Sequence, residues 1–210
     1  MENRSLSMEI NIPQVKHLYL VAGMAGAGKT HLLEKIQRGE LHQLCLQMCM
    51  TTPYFYLFIN ATHLKHLPQQ PINQLVVHYD FYSRKSEKHG FDFLHMLLSR
   101  SKSVTVMTLC VKQQVLLQRN ASRLDDLSEL THSAQEDNQE YVKANQQRLQ
   151  KQRTFYDDNS NIIKLYQKWF EFIQDYKVQD HLLLDTSTLP LPHAQHEDTY
   201  RSDFLHSLAS

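Results

Sequence analysis

The sequence predicts an α/β fold: a mostly parallel sheet in three layers, with helices on both faces. Three observations predict it. Apolar runs of strand length recur at residues 18–22, 54–59, 75–80, 104–110 and 182–185. Segments with apolar residues at helical spacing separate most of them, and strands that alternate with helices lie parallel in a covered sheet. The first run leads into Gly23-x-x-x-x-Gly28-Lys29-Thr30, a glycine-rich turn between a strand and a helix.

A chain of 210 residues with 41% hydrophobic content can bury one substantial core, so residues 1–210 read as one domain. Within it, residues 124–177 read as a helical, lid-like insertion and residues 188–210 as a C-terminal tail. Lys plus Arg and Asp plus Glu are equal at 22 each, which excludes the broad basic field of a non-specific nucleic-acid binder. Any anion site must be local. No run approaches the ~18 apolar residues of a membrane span, and the N-terminal residues lack the pattern of a signal peptide. Three cysteines fit a reducing compartment, and the expected setting is cytoplasmic. Cys45 and Cys49 have no further Cys or His pair close by, so a structural metal is not expected there.

Taken in order, residues 1–14 are a polar lead in which Ile10 and Ile12 alternate with polar neighbours. The first strand and glycine-rich turn follow, then a helix with Leu32, Leu33 and Ile36 on one face. Residues 41–50 are helical by spacing until Pro53 interrupts. Residues 54–59 are aromatic and β-branched and favour strand, and residues 60–67 read as a turn or short helix capped by Asn60 or Thr62. A strand ends at Asp80, a helix carries Phe91, Leu94, Leu97 and Leu98, and the next strand runs to Cys110. A helix with Arg119 and Arg123 leads into residues 124–153, which are acidic, then rich in Gln, Lys and Arg, and read as solvated or mobile. Ile162, Tyr166, Trp169, Phe170 and Ile173 form a core-facing helical stripe. A buried strand ends at Asp185, and residues 200–208 of the polar tail read as a short helix.

The glycine-rich turn reads as a phosphate-binding loop. Three of the chain's five glycines, Gly23, Gly26 and Gly28, lie in it and let the backbone curl so that N–H groups point inward at an anion. The cofactor contacts are expected from Gly23, Met24, Ala25, Gly26, Ala27, Gly28, Lys29 and Thr30. Lys29 would reach the β- and γ-phosphates, Thr30 would offer its hydroxyl to Mg²⁺, and the helix start adds a positive dipole end. ATP and Mg²⁺ are the expected cofactors.

Such a loop does not choose the reaction. Phosphoryl transfer also needs a carboxylate for Mg²⁺ or the acceptor proton, and cations on the developing charge. Asp80, ending a strand expected near the first, is the candidate carboxylate and metal ligand; the plain alternative is a solvent-facing strand end. Arg119 and Arg123 share a helix face and are candidates for the nucleotide and the transferring phosphate, or for surface pairing with Asp126 or Glu129. Arg84 and Lys85 follow Asp80 closely, and Tyr79, Phe81 and Tyr82 could stack on an acceptor.

The glycine loop, Asp80 with Arg84 behind it, the Arg119 and Arg123 helix and Leu184-Asp185-Thr186 together resemble the P-loop kinases of the nucleoside and nucleotide kinase type, over residues 16–187. The resemblance implies ATP-dependent transfer to a small-molecule hydroxyl or phosphate. It also implies that Lys29, Asp80, Arg119 and Arg123 are catalytic, that a lid follows Arg123, and that the region of Asp185 to Ser187, with Asp185 as a cofactor contact, lies near the adenine. The sequence departs from that family's Gly-x-Pro-Arg or Asp-Arg-x signatures after the carboxylate, which leaves the acceptor open. The alternative is a regulatory NTPase in which residues 139–153 bind a protein partner. No Asn-Lys-x-Asp motif speaks for guanine.

Overall fold

The computed structural model describes residues 13–51, 54–57, 70–82, 90–133, 136–187 and 195–209. Strand β1 (Val15–Gly23) is buried continuously from Leu18 onward, on both of its faces, as expected of an interior strand whose side chains over that stretch are apolar, aromatic or small. It pairs in parallel with β3 (Ile72–Asp80) on one side and β4 (Ser101–Cys110) on the other. Beyond these lie β2 (Tyr54–Leu57), parallel to β3, and β5 (Asp180–Asp185), parallel to β4. The short β6 (Gln195–His196) closes the far edge antiparallel to β5, giving the order β2-β3-β1-β4-β5-β6.

The chain therefore leaves β1 toward one side of the sheet and later crosses to the other. In an open parallel sheet this reversal leaves a crevice at the carboxyl ends of the strands. The registers bring those ends level: Gly23 lies opposite Asp80 on one side and Leu109 on the other, and Cys110 lies opposite Asp185.

Helix α1 (Lys29–Gln37) buries Leu32, Leu33 and Ile36, and α2 (His42–Gln47) follows it. Helix α3 (Gly90–Ser99) precedes β4 and buries Leu94, Leu97 and Leu98. The amphipathic helix α6 (Asn159–Gln174) starts at Asp158, whose side chain accepts from the Ser160 N–H. Its stripe of Ile162, Tyr166, Trp169, Phe170 and Ile173 is buried. Trp169 Nε1 donates to Thr108 Oγ1 at 2.8 Å and Tyr166 donates its hydroxyl to the Leu109 carbonyl at 2.9 Å, so the stripe is bolted to β4 near its carboxyl end.

Two expectations are corrected. Residues 124–133 and 136–153 are helical, as the expected insertion implies, but they pack rather than lie fully solvated: α4 (Gln113–Ser133) continues through the acidic segment and α5 (Glu136–Asp157) returns along it. The seam is narrow. Val142, Leu149 and Tyr156 are buried at seven-residue spacing, with the buried Gln152 between the last two, so the helix reads as polar while a coiled-coil-like stripe packs. Asn120 Nδ2 on α4 donates to the Leu149 carbonyl at 3.2 Å and to Gln152 Oε1 at 3.3 Å across that seam.

The C-terminal tail carries the expected helix in a longer form, α7 (Glu197–Ala209), which follows β6 and buries Phe204 and Leu208 against the core. Phe204 meets the Tyr166 ring edge-on at 4.9 Å. Finally, Tyr79, Phe81 and Tyr82 offer no stacking surface to an acceptor, because the core uses them. Phe81 and Tyr79 stack on Trp169, and Tyr82 packs on Phe155 and Tyr156. Residues 1–12, the 60–67 segment, Arg84 and Lys85 lie outside the described residues.

Candidate functional site

The loop between β1 and α1 is shaped by its glycines where the backbone requires them. Gly26 and Gly28 have φ of 89° and 91°, a left-handed conformation that a side chain strains. At Gly23 a Cβ would sit 3.2 Å from Leu109 Cβ and 3.2 Å from Ala27 Cβ, so the close approach of β4 also needs glycine.

The loop is held by its carbonyls. Lys29 Nζ donates to the carbonyls of Gly23 at 2.9 Å and Met24 at 2.7 Å. Tyr156 donates its hydroxyl to the Ala25 carbonyl at 2.6 Å, Arg119 Nη1 to that of Gly26 at 3.0 Å, and Thr186 Oγ1 to that of Ala27 at 2.8 Å. Five successive carbonyls thus accept from side chains drawn from α1, α5, α4 and the end of β5. The Ala27 N–H donates to the Met24 carbonyl at 3.0 Å, which tightens the turn further, and a loop whose oxygens are tied down in this way suits an anion nest built from its other N–H groups. Gly28 is the N-cap of α1, no side chain caps the first turn, and the turn contains no acidic residue, so the helix dipole is uncompensated there.

Lys29 is 4% exposed and its Nζ lies 3.5 Å from Asp80 Oδ2. Burial pushes the Lys29 ammonium below its ordinary range, and the Asp80 carboxylate opposes that shift. Asp80 is itself fixed, its Oδ1 accepting from the Tyr82 N–H at 3.0 Å. His78, two residues earlier on the same face of β3, has its imidazole pulled down to about 4 by burial first and by Lys29 second, against the pull of Asp80. It is neutral near pH 7.

Two adjoining clefts open at this end of the sheet and share Gly26, Gly28, His31 and Arg123. The first, about 360 Å³, is lined by the loop, Lys29, Thr30, Glu34, His78, Asp80, Arg123, Arg148 and Gln152. The second, about 600 Å³, is lined by Leu32, Val115, Gln118, Arg119, Ser122, Thr186 and Ser187 beside the shared residues. Both volumes fall in the range of small-molecule sites.

The structure therefore brings Lys29, Thr30, Asp80 and Arg123 together around one cleft. It separates Arg119 from that group. Arg119 is clamped to the Gly26 and Thr186 carbonyls and faces the second cleft, with its guanidinium shifted down by burial and by Arg123. Asp185 is turned away from both: its carboxylate accepts from the Ser187 N–H at 2.8 Å and the Tyr200 hydroxyl at 3.3 Å, while Thr186 and Ser187 line the second cleft in its place. Sequence reasoning missed Arg148, Gln152, Tyr156 and His78. The first three stand at i, i+4 and i+8 on α5, a spacing that puts them on one face, and His78 precedes Asp80 by the strand period.

Among the described residues no group of three His, Cys, Asp or Glu side chains is arranged to hold a metal on protein ligands alone. No described helix is long and apolar enough to cross a membrane. Comparison with known proteins finds no matching family model, no matching curated protein and no matching solved structure.

Proposed function

We propose that this chain is an ATP- and Mg²⁺-dependent phosphotransferase, with the three-layer fold of the P-loop kinases, that moves the γ-phosphoryl group of ATP to a small molecule. The observation that carries the reading is the meeting of two strand ends. Gly23 opens the anion nest in direct register with Asp80, and Lys29 bridges the two with its ammonium between the loop carbonyls and the carboxylate.

In this reading the nest and Lys29 take the β- and γ-phosphates. The second cleft takes the nucleoside, with Arg119 bracing the loop against Thr186 beneath it. Thr30 and Asp80 would hold Mg²⁺, and a protein set this small suits an ion that keeps waters and phosphate oxygens as its other ligands. When bound, that ion would neutralise charge on the phosphates. Arg123 from α4 and Arg148 from α5 reach the same cleft from two helices, which suits stabilising charge on a group in transfer. Without the ion on its carboxylate, Asp80 would instead be placed to receive the acceptor proton.

The test is transfer of label from ATP carrying γ-³²P. With Mg²⁺ and a small-molecule extract, label is expected in an organic product, and Lys29→Ala and Asp80→Asn are expected to abolish it. Label appearing solely as inorganic phosphate would overturn the phosphotransferase reading in favour of a regulatory NTPase.

A further inference from the structure

Resting on the phosphotransferase reading, we infer that Gln152 contacts the terminal phosphoryl group of a nucleoside triphosphate through its side-chain amide, and that Asn120 on the neighbouring helix is the positioning residue that aims it. Both side chains are buried, Gln152 on α5 and Asn120 on α4. The aim follows from hydrogen-bond polarity. The Leu149 backbone carbonyl can only accept, so the Asn120 group that meets it at 3.2 Å is the Nδ2 amide. The same Nδ2 lies 3.3 Å from Gln152, so the Gln152 atom facing it is the acceptor Oε1. Gln152 Nε2, with its two N–H donors, therefore stands at the other end of the amide. It has no hydrogen-bond partner among the described residues, and unlike Asn120 Oδ1 it is not sealed from solvent, because the side chain lines the first cleft.

In that cleft its place is that of the terminal phosphate. Gln152 shares the first cleft with Lys29, Thr30 and Asp80 and takes no part in the second, which is assigned to the nucleoside. Tyr156, four residues further along α5, holds the Ala25 carbonyl of the loop, so Gln152 stands one helical turn, roughly 6 Å, from that anchor. Diphosphate and triphosphate both fill the loop in this reading, and the γ-phosphoryl group alone extends past it.

The plain alternative is a polar pair that fixes the register of two helices. Such a pair would use its donors inside the seam. Here Asn120 Oδ1 is buried with no partner among the described residues, a cost that an apolar pair would avoid, while the Gln152 donors are turned out of the seam. A phosphoryl oxygen on Nε2 completes a chain from the cleft through Gln152 and Asn120 to the backbone of α5. The site then distinguishes triphosphate from diphosphate by a neutral donor as well as by charge.

The experiment measures, by calorimetric titration with Mg²⁺, the affinities of ADP and of the non-hydrolysable β,γ-imido analogue of ATP. In Gln152→Leu the imido analogue should bind at least about tenfold more weakly, the size of one hydrogen bond to a charged group, while ADP stays within about threefold and reports an intact fold. Gln152→Glu, which turns a carboxylate oxygen toward the phosphate, should weaken the imido analogue further and again spare ADP. Asn120→Leu should lose part of the same discrimination, and should lose no more of it when Gln152 is already Leu. An equal loss for both nucleotides, or no loss for the imido analogue, would overturn the contact while leaving phosphotransfer standing. Additive effects of Asn120→Leu and Gln152→Leu would overturn the aiming role and leave Asn120 to the helix register. Wild-type protein that binds neither nucleotide would overturn both the contact and the phosphotransferase reading.

Discussion

Lys29 is the residue on which the site turns, because it satisfies two loop carbonyls and faces Asp80 while buried. Replacing it by Ala removes charge-assisted contacts worth about 1.5–3 kcal/mol each and leaves those carbonyls open. The affinity of a fluorescent ATP analogue with Mg²⁺ is expected to fall by at least about 100-fold, and a titration of analogue fluorescence checks it. His78 makes a separate prediction at this scale. In the unfolded chain its imidazole takes a proton near pH 6.5, but in the fold only near pH 4. Between those values the unfolded state binds more protons, so stability is full above pH 6.5 and is lost as pH falls toward 4. The loss amounts to roughly 3–4 kcal/mol. His78→Gln should flatten that limb of the pH dependence of thermal unfolding; an unchanged limb would mean that other groups produce it.

Among the elements, α5 contributes most that its composition conceals. Val142, Leu149 and Tyr156 recur every seven residues, and between them stand charged and amide side chains. Only the partner helix makes this a seam. At its end Tyr156 reaches the Ala25 carbonyl with a hydroxyl whose ionisation burial pushes well above the ordinary range, so it acts as a permanent donor. Tyr156→Phe keeps the ring packing and orphans that carbonyl. It should cost about 1–3 kcal/mol in urea unfolding and weaken ATP binding, with the far-UV spectrum unchanged. Helix α6 predicts something larger. Trp169 fills the space between Tyr79, Phe81 and Phe172 and bonds Thr108, which in turn bonds His181. Trp169→Ala should cost about 3–5 kcal/mol by the same measurement.

For the whole molecule, the site is assembled from remote parts of the chain. The loop carbonyls receive donors from α1, α4, α5 and the residue after β5, and these converge through sheet order rather than sequence proximity. A ligand that binds only this assembly stabilises all of it. ATP with Mg²⁺ at 100 times its Kd should add about 2.7 kcal/mol, which for a chain of this size raises the Tm by about 5–10 °C. Differential scanning fluorimetry checks the shift, and it should vanish in Lys29→Ala.

The residues of the loop and the alternation of apolar runs with helical spacing were determined locally. The backbone twist at Gly26 and Gly28, the helix start at Lys29 and the buried strands all follow from side chains within a few positions of one another. For that reason the parallel strands, the amphipathic α6 and the loop carrying Lys29 and Thr30 were legible in the sequence. The tertiary structure alone decided which cations and donors meet there. Arg123 and Arg148 are 25 positions apart and share a cleft, whereas Arg119, one helical turn from Arg123, braces the loop instead. Tyr79, Phe81 and Tyr82 were as available to a ligand as to the core until α6 stacked Trp169 against two of them. The reason is physical: periodicity records which face of an element is apolar, but strand order and register decide what that face meets.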